Sequence, residues 1–172
     1  MKTKMKILLI ALFLIGFNVN AQVSETVSTT AKIITPILLD KERDLDFGTI
    51  ASGTAVSVVD ISTSGVRTKT GNATLVGFGS NHHAAELTTS GQGSYTFSIT
   101  IIPSSLNLTT SGGGGGNSML VDNFVSDPSL VGTLSSGGSK IISVGGKLHV
   151  GANQNTGTYT NTDGLTITVN YN

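Results

Sequence analysis

The sequence predicts an all-β fold, a sandwich or barrel of short strands. Three observations carry that expectation. Leu165, Ile167, Val169 and Tyr171 alternate with Thr166, Thr168, Asn170 and Asn172, the period of two expected of a strand with one buried face. Turn signals break the rest of the chain into short runs at spacings of roughly 8–12 residues, as in sandwiches and barrels. After the first twenty-odd residues, no window sustains an apolar period of 3.6. With 38% apolar and 12% charged residues, the chain has the composition of a folded domain with many turns.

The first segment is expected to be an export signal. Lys2, Lys4 and Lys6 make a positive start, Ile7 to Phe17 an apolar centre, and Val19-Asn20-Ala21 a small-residue cleavage site. The apolar run of about eleven residues is too short to span a bilayer as a helix, which needs about twenty. No cysteine follows the site, so no lipid anchor is expected. Residues 1–21 therefore read as a signal peptide and 22–172 as one domain, exported to the periplasm, the cell surface or the medium, with no membrane span. Ten Lys and Arg balance ten Asp and Glu. Loss of the three leader lysines leaves a mildly acidic protein without the basic patch that nucleic acid requires. Because cysteine is absent altogether, the core and the backbone ladders must hold the fold without disulfides.

Gln22 to Lys32 contains neither Gly nor Pro, and Val23, Val27, Ala31 and Ile33 share an alternating face interrupted by Glu25 and Thr29. Two readings stand here: a mobile terminal extension, or a strand that pairs elsewhere. Ile33 to Leu39 is a stronger strand, confined by Pro36 to an edge or a bulge. Asp40 to Asp44 reads as a charged turn. Leu45 to Ile50 reads as a strand burying Leu45, Phe47 and Ile50, with Gly48 permitting a bend. Further strands are expected at Thr54–Ser62, Ala73–Phe78, Ala84–Thr89, Tyr95–Ile102, Met119–Val125 and Lys140–Val150, separated by turn signals such as Ser64-Gly65, Gly71-Asn72 and Asp127-Pro128. The clean alternation of Tyr95 to Ile101 suits a central strand.

Motifs that carry chemistry are missing. His82 and His83 are neighbours, and adjacent strand residues face opposite ways, so they do not readily share an ion with Glu86 or His149. Counting from Asp40, the sixth and twelfth positions hold Leu45 and Ala51, where a calcium loop needs Gly and Glu. The five glycines from Gly112 to Gly116 complete no phosphate-binding pattern and read as a flexible loop tip. There is no G-x-S-x-G, no cysteine nucleophile and no tryptophan. Neither an enzyme nor a bound cofactor or metal is expected.

Two blocks carry a resemblance. The first is Ile33-Ile34-Thr35-Pro36-Ile37 leading into Asp44-Leu45-Asp46-Phe47-Gly48-Thr49-Ile50. The second is Val144 to Gly151, then Gly157-Thr158-Tyr159, then the final alternating strand. Together they resemble an exported bacterial family of unknown function, itself similar to spore-coat-protein-U-like and archaic chaperone–usher pilin domains. The resemblance implies an immunoglobulin-like, pilin-like β-sandwich with an incomplete edge and no catalytic residue. It also implies partners: sister subunits or a homo-polymer, a periplasmic chaperone and an outer-membrane usher.

A last strand with no successor leaves unpaired N–H and C=O groups, to which another chain can add a strand. Leu165, Ile167, Val169 and Tyr171 are then the expected acceptor edge, and Val23, Val27, Ala31 and Ile33 the expected donor strand. The alternatives are a self-complete surface binding module for glycan or protein and, last, a small secreted hydrolase. Tyr159 is expected to pack its ring inward and bond a backbone group, as in a tyrosine corner.

Overall fold

The computed structural model describes residues 22–79, 81–110, 118–161 and 164–172. The segment expected to be a signal, 1–21, and the glycine run 112–116 lie outside them. The chain divides into two compact units, the first ending at Ile33 and the second spanning Ile34–Asn172. In the first, residues 22–33 form neither strand nor helix. Val23, Val27 and Ile33 are 86, 84 and 97% exposed, and Ala31 is exposed as well.

The second unit is all-β. Its strands are β1 (Leu38–Arg43), β2 (Ile50–Ala51), β3 (Ser57–Ile61), β4 (Arg67–Thr70), β5 (Thr74–Leu75), β6 (Ala85–Ser90), β7 (Thr96–Ile102), β8 (Ser105–Thr109), β9 (Ser118–Asp127), β10 (Val131–Thr133), β11 (Ser139–Val150) and β12 (Thr166–Tyr171). Every pairing is antiparallel. The larger sheet is built on β11. Ser139–Val144 of β11 pairs with β6, and Gly146–Val150 pairs with β3. Ser143–His149 pairs with β9, so β9 occupies the opposite edge of β11 from β6 and β3. β1 then flanks β6, β4 flanks β3, and β8 flanks β9. The smaller sheet is β10-β7-β12, and β2 and β5 form a ribbon.

β11 serves both halves of the larger sheet because of its composition. Ile142, Val144, Leu148 and Val150 alternate inward and are at most 4% exposed. Between them, Gly145-Gly146 shifts the register against β9. A Cβ on Gly145 would stand 2.2 Å from the Ile61 carbonyl oxygen, and one on Gly146 would stand 3.0 Å from the Phe124 ring. Two bare backbones there let β3 and Phe124 close on the strand.

The two sheets sandwich a core. Ile142, Val144 and Leu87 on one side meet Phe97, Ile99 and Val169 on the other. A second cluster gathers Phe47, Val59, Ile61, Val121 and Leu148. Phe97 is wholly buried, which stabilises by about 1.5–3 kcal/mol relative to exposure. The buried Thr89 hydroxyl donates to the Leu38 carbonyl at 2.9 Å, leaving no uncompensated polar group there. Among the described residues no helix is long and apolar enough to cross a membrane.

Several expected elements differ, and the strand expected over Ala73–Phe78 shrinks to Thr74–Leu75. Asp40 to Asp44 is no turn: β1 runs through Arg43 and pairs with β6. Alternating charge is as compatible with an exposed edge strand, which charged side chains protect from stray pairing, as with a turn. Its ions are closed locally by Lys41–Asp44 and across strands by Arg43–Glu86. Leu45 to Ile50 buries Phe47 as expected, but only Ile50 enters a strand. Asp46 and His83 exchange backbone bonds of 3.0 and 2.9 Å, and Asp46 Oδ1 accepts from the Gly48 N–H at 2.7 Å. That side-chain bond holds Gly48 at a φ of 70°, a left-handed turn that glycine adopts without strain. Ile33 to Leu39 is not one strand either: residues 33–37, Pro36 among them, lie outside any strand, and only Leu38 and Leu39 enter one, the edge strand β1. β7 is the middle strand of its sheet.

Candidate functional site

The site is built from β12 outward. Its alternation is realised: Val169 is buried, Leu165, Ile167 and Tyr171 are half-buried, and Thr166, Thr168 and Asn170 are exposed. β12 pairs with β7 from Thr166↔Ile102 to Tyr171↔Phe97. The Asn172 N–H donates to the Thr96 carbonyl at 3.2 Å, which fixes the phase of that ladder. In an antiparallel pair, alternate residues exchange bonds with the partner and the others point their backbone groups away. Thr166, Thr168 and Asn170 therefore bond β7. Ile167, Val169 and Tyr171 direct N–H and C=O to the other edge, where no strand pairs among the described residues. The same residues thus supply the apolar floor and the unpaired backbone.

The facing edge belongs to β1. Gly91 N–H donates to the Gly138 carbonyl at 2.8 Å, continuing the β6–β11 register. By the same alternation, Ser90 and Thr88 turn to β1, so their partners Leu38 and Asp40 bond β6. Leu39 and Lys41 then point outward. Leu39 and Ile37 pack on the same cluster as Leu165, Ile167 and Tyr171. The result is a seam between two edge strands with an apolar floor.

One end of that seam is clasped by Tyr171. Its hydroxyl accepts from the Gln92 N–H at 2.6 Å and donates to the Thr35 carbonyl at 2.9 Å. Its ring meets Tyr95 edge-on, centroids 5.8 Å apart and planes at 69°, a favoured aromatic geometry. Gly91 makes this possible, because a Cβ there would lie 2.1 Å from the hydroxyl oxygen. β1 and β12 come within 8 Å between Cα atoms at their closest, short of the roughly 9.5 Å that two strand spacings require.

The structure brings Leu165, Ile167, Val169 and Tyr171 together on this seam. Val23, Val27, Ala31 and Ile33 lie in the N-terminal unit and form no strand. Sequence reasoning did not find the β1 half of the seam or the Tyr171 clasp. Glycines on both sides of Gln92 mark a turn, but nothing local links Gln92 to a tyrosine 79 residues away. Tyr159 matches its expectation: its ring packs on the second cluster, with Phe47 and Leu148, and its hydroxyl donates to the Asn155 carbonyl at 2.8 Å.

The histidines are dispersed. His149 Nε2 lies 2.9 Å from Asp122 Oδ1, His83 Nδ1 lies 3.2 Å from the Ala84 carbonyl, and Glu86 bonds Arg43. Among the described residues no three His, Asp or Glu side chains are grouped to hold a metal ion.

No curated protein and no solved structure matches the chain. A family profile does match, over residues 37–171, from the approach to β1 through the last residue of β12. Every strand of both sheets thus falls within the matched span, and the chain belongs to the DUF4402 family, a domain of unknown function.

Proposed function

We propose that this protein is an exported, non-enzymatic structural subunit of a surface or fimbrial assembly, joined to its neighbours by β-strand addition at the seam. One observation carries the reading: Ile167 and Val169 combine inward apolar side chains with backbone N–H and C=O groups that no strand pairs. An extended segment laid there would gain ladder bonds from the edge and apolar contact from the floor. The resemblance of the two sequence blocks to pilin-like domains, and the leader at residues 1–21, support the same reading. A segment with the apolar alternation of Val23, Val27, Ala31 and Ile33 suits the donor role, supplied by a neighbouring copy. A periplasmic chaperone and an outer-membrane usher would be the partners that hold and pass on such a subunit.

Deletion of Gln22 to Thr30 tests this. Polymer ladders on gels should be lost while the monomer still folds; unchanged assembly sinks the strand-addition reading. A second reading is favoured by the Tyr171 clasp and the narrow Cα separation. On that reading the seam is already as closed as it becomes, and the protein is a self-complete surface binding module. A wild-type chain that remains monomeric beside its own chaperone and usher would select it.

A further inference from the structure

The clasp at the end of the seam is a closed triangle. The Gln92 N–H donates to the Tyr171 hydroxyl at 2.6 Å, and that hydroxyl donates to the Thr35 carbonyl at 2.9 Å. The third side is the Thr35 N–H, which donates to Gln92 Oε1 at 3.4 Å. Each corner therefore bonds the other two, and the three belong to the lead into β1, the β6–β7 turn and β12. No strand ladder holds that lead, because residues 34–37 lie in no strand and Pro36 has no N–H to donate. Segments held by few backbone bonds open at low cost.

The triangle ties the two edges of the seam together. A strand laid between β1 and β12 needs them about 9.5 Å apart, two strand spacings, whereas their Cα atoms come within 8 Å at their closest. Carrying the lead into β1 outward by the missing distance, about 1.5 Å, breaks the 2.9 Å bond from the Tyr171 hydroxyl to Thr35, because contacts beyond about 3.5 Å are no longer hydrogen bonds. The bond thus belongs to the empty seam and not to the filled one. A contact made in one state alone biases the equilibrium toward that state.

We propose that Thr35, Gln92 and Tyr171 form a latch: it holds the empty seam shut, and the lead into β1 swings away from Tyr171 to admit a strand. The inference rests on the reading of the seam as a strand-addition site. Tyr171 suits the role because its ring is anchored on the floor and against Tyr95, which leaves the hydroxyl to make or break the tie. Its backbone N–H and C=O face the seam, so the residue that locks the edge also ends the row that an added strand bonds. Only the open fraction accepts a strand, so a shut latch lowers apparent affinity and entry rate by that fraction. A shut seam also shields an open edge from stray pairing.

A fluorophore-labelled synthetic peptide of residues 22–33, added to the full-length chain, reads the latch through its entry rate. Wild type is compared with Tyr171→Phe and with Tyr159→Phe. The Tyr159 hydroxyl is a matched control: it accepts from Gln154 Nε2 at 3.0 Å and donates to the Asn155 carbonyl at 2.8 Å, and its ring packs on the other core cluster. Tyr171→Phe should admit the peptide about tenfold faster, since two hydrogen bonds of ordinary net strength no longer have to open first. Tyr159→Phe should match wild type. A Tyr171→Phe rate no higher than that of wild type, or equal acceleration by both variants, overturns the latch and leaves strand addition standing. A peptide that binds none of the three, or that leaves amide exchange at Ile167 and Val169 unchanged, overturns strand addition and the latch together.

Discussion

At the scale of single residues, the Tyr171 hydroxyl joins three parts of the chain: the approach to β1 at Thr35, the β6–β7 turn at Gln92, and β12 itself. Tyr171→Phe removes a donor from one partner and an acceptor from the other. The expected loss is about 1–3 kcal/mol, read as a fall in melting temperature of a few degrees. Gly91→Ala should cost at least as much, since its methyl would sit 2.1 Å from that oxygen. The double variant should lose less than the sum of the singles, because removing the oxygen relieves the clash. Strict additivity would show that the clasp does not exist.

The histidines give a contrasting expectation. His149 and Asp122 are 42 and 34% exposed, and exposed pairs contribute about 0–1 kcal/mol. His149→Ala should therefore leave stability within about 1 kcal/mol. Added zinc should not raise the melting temperature of wild type over that of a variant lacking His82, His83 and His149; a rise would reveal a metal site that their positions do not suggest.

At the scale of elements, β12 makes the most discriminating prediction. Its amides alternate between β7 and the seam, so native-state hydrogen exchange should alternate along one strand. Thr168 and Asn170 should be protected, while Ile167 and Val169 should exchange faster. Occupation of the seam by an added strand should slow those two and leave Thr168 and Asn170 little changed. Uniform protection in the isolated protein would mean that the edge is already paired, which removes the basis for strand addition.

β1 shows why its own edge was less legible. The sequence Leu38-Leu39-Asp40-Lys41-Glu42-Arg43 carries charge on both faces, so it gives no apolar alternation to read. β4, Arg-Thr-Lys-Thr, has no apolar residue at all. Such strands exist because a neighbour offers a ladder, and no local pattern announces them.

At the scale of the whole molecule, the proposed export makes one direct expectation. Mass spectrometry of exported protein should find Gln22 at the amino terminus, and mature protein that retains Met1 would overturn the export reading.

What the sequence determined by itself was the set of strands that bury one face. In β12, β7 and β11 the side chains that must leave water recur every second residue, so face and register are written locally. The absence of a 3.6-residue period settled the all-β class in the same way. What only the tertiary structure decided was which edges remain free and what stands opposite them. Pairing joins residues far apart in the chain, as Leu39 on β1 and Ile167 on β12 share one floor. Which backbone groups of β12 point outward follows from the phase of its bonds to β7, and that phase depends on β7 as much as on β12. Side-chain alternation is local chemistry, whereas an open edge is a property of the assembled sheets, because it consists of the hydrogen bonds that no neighbouring strand makes.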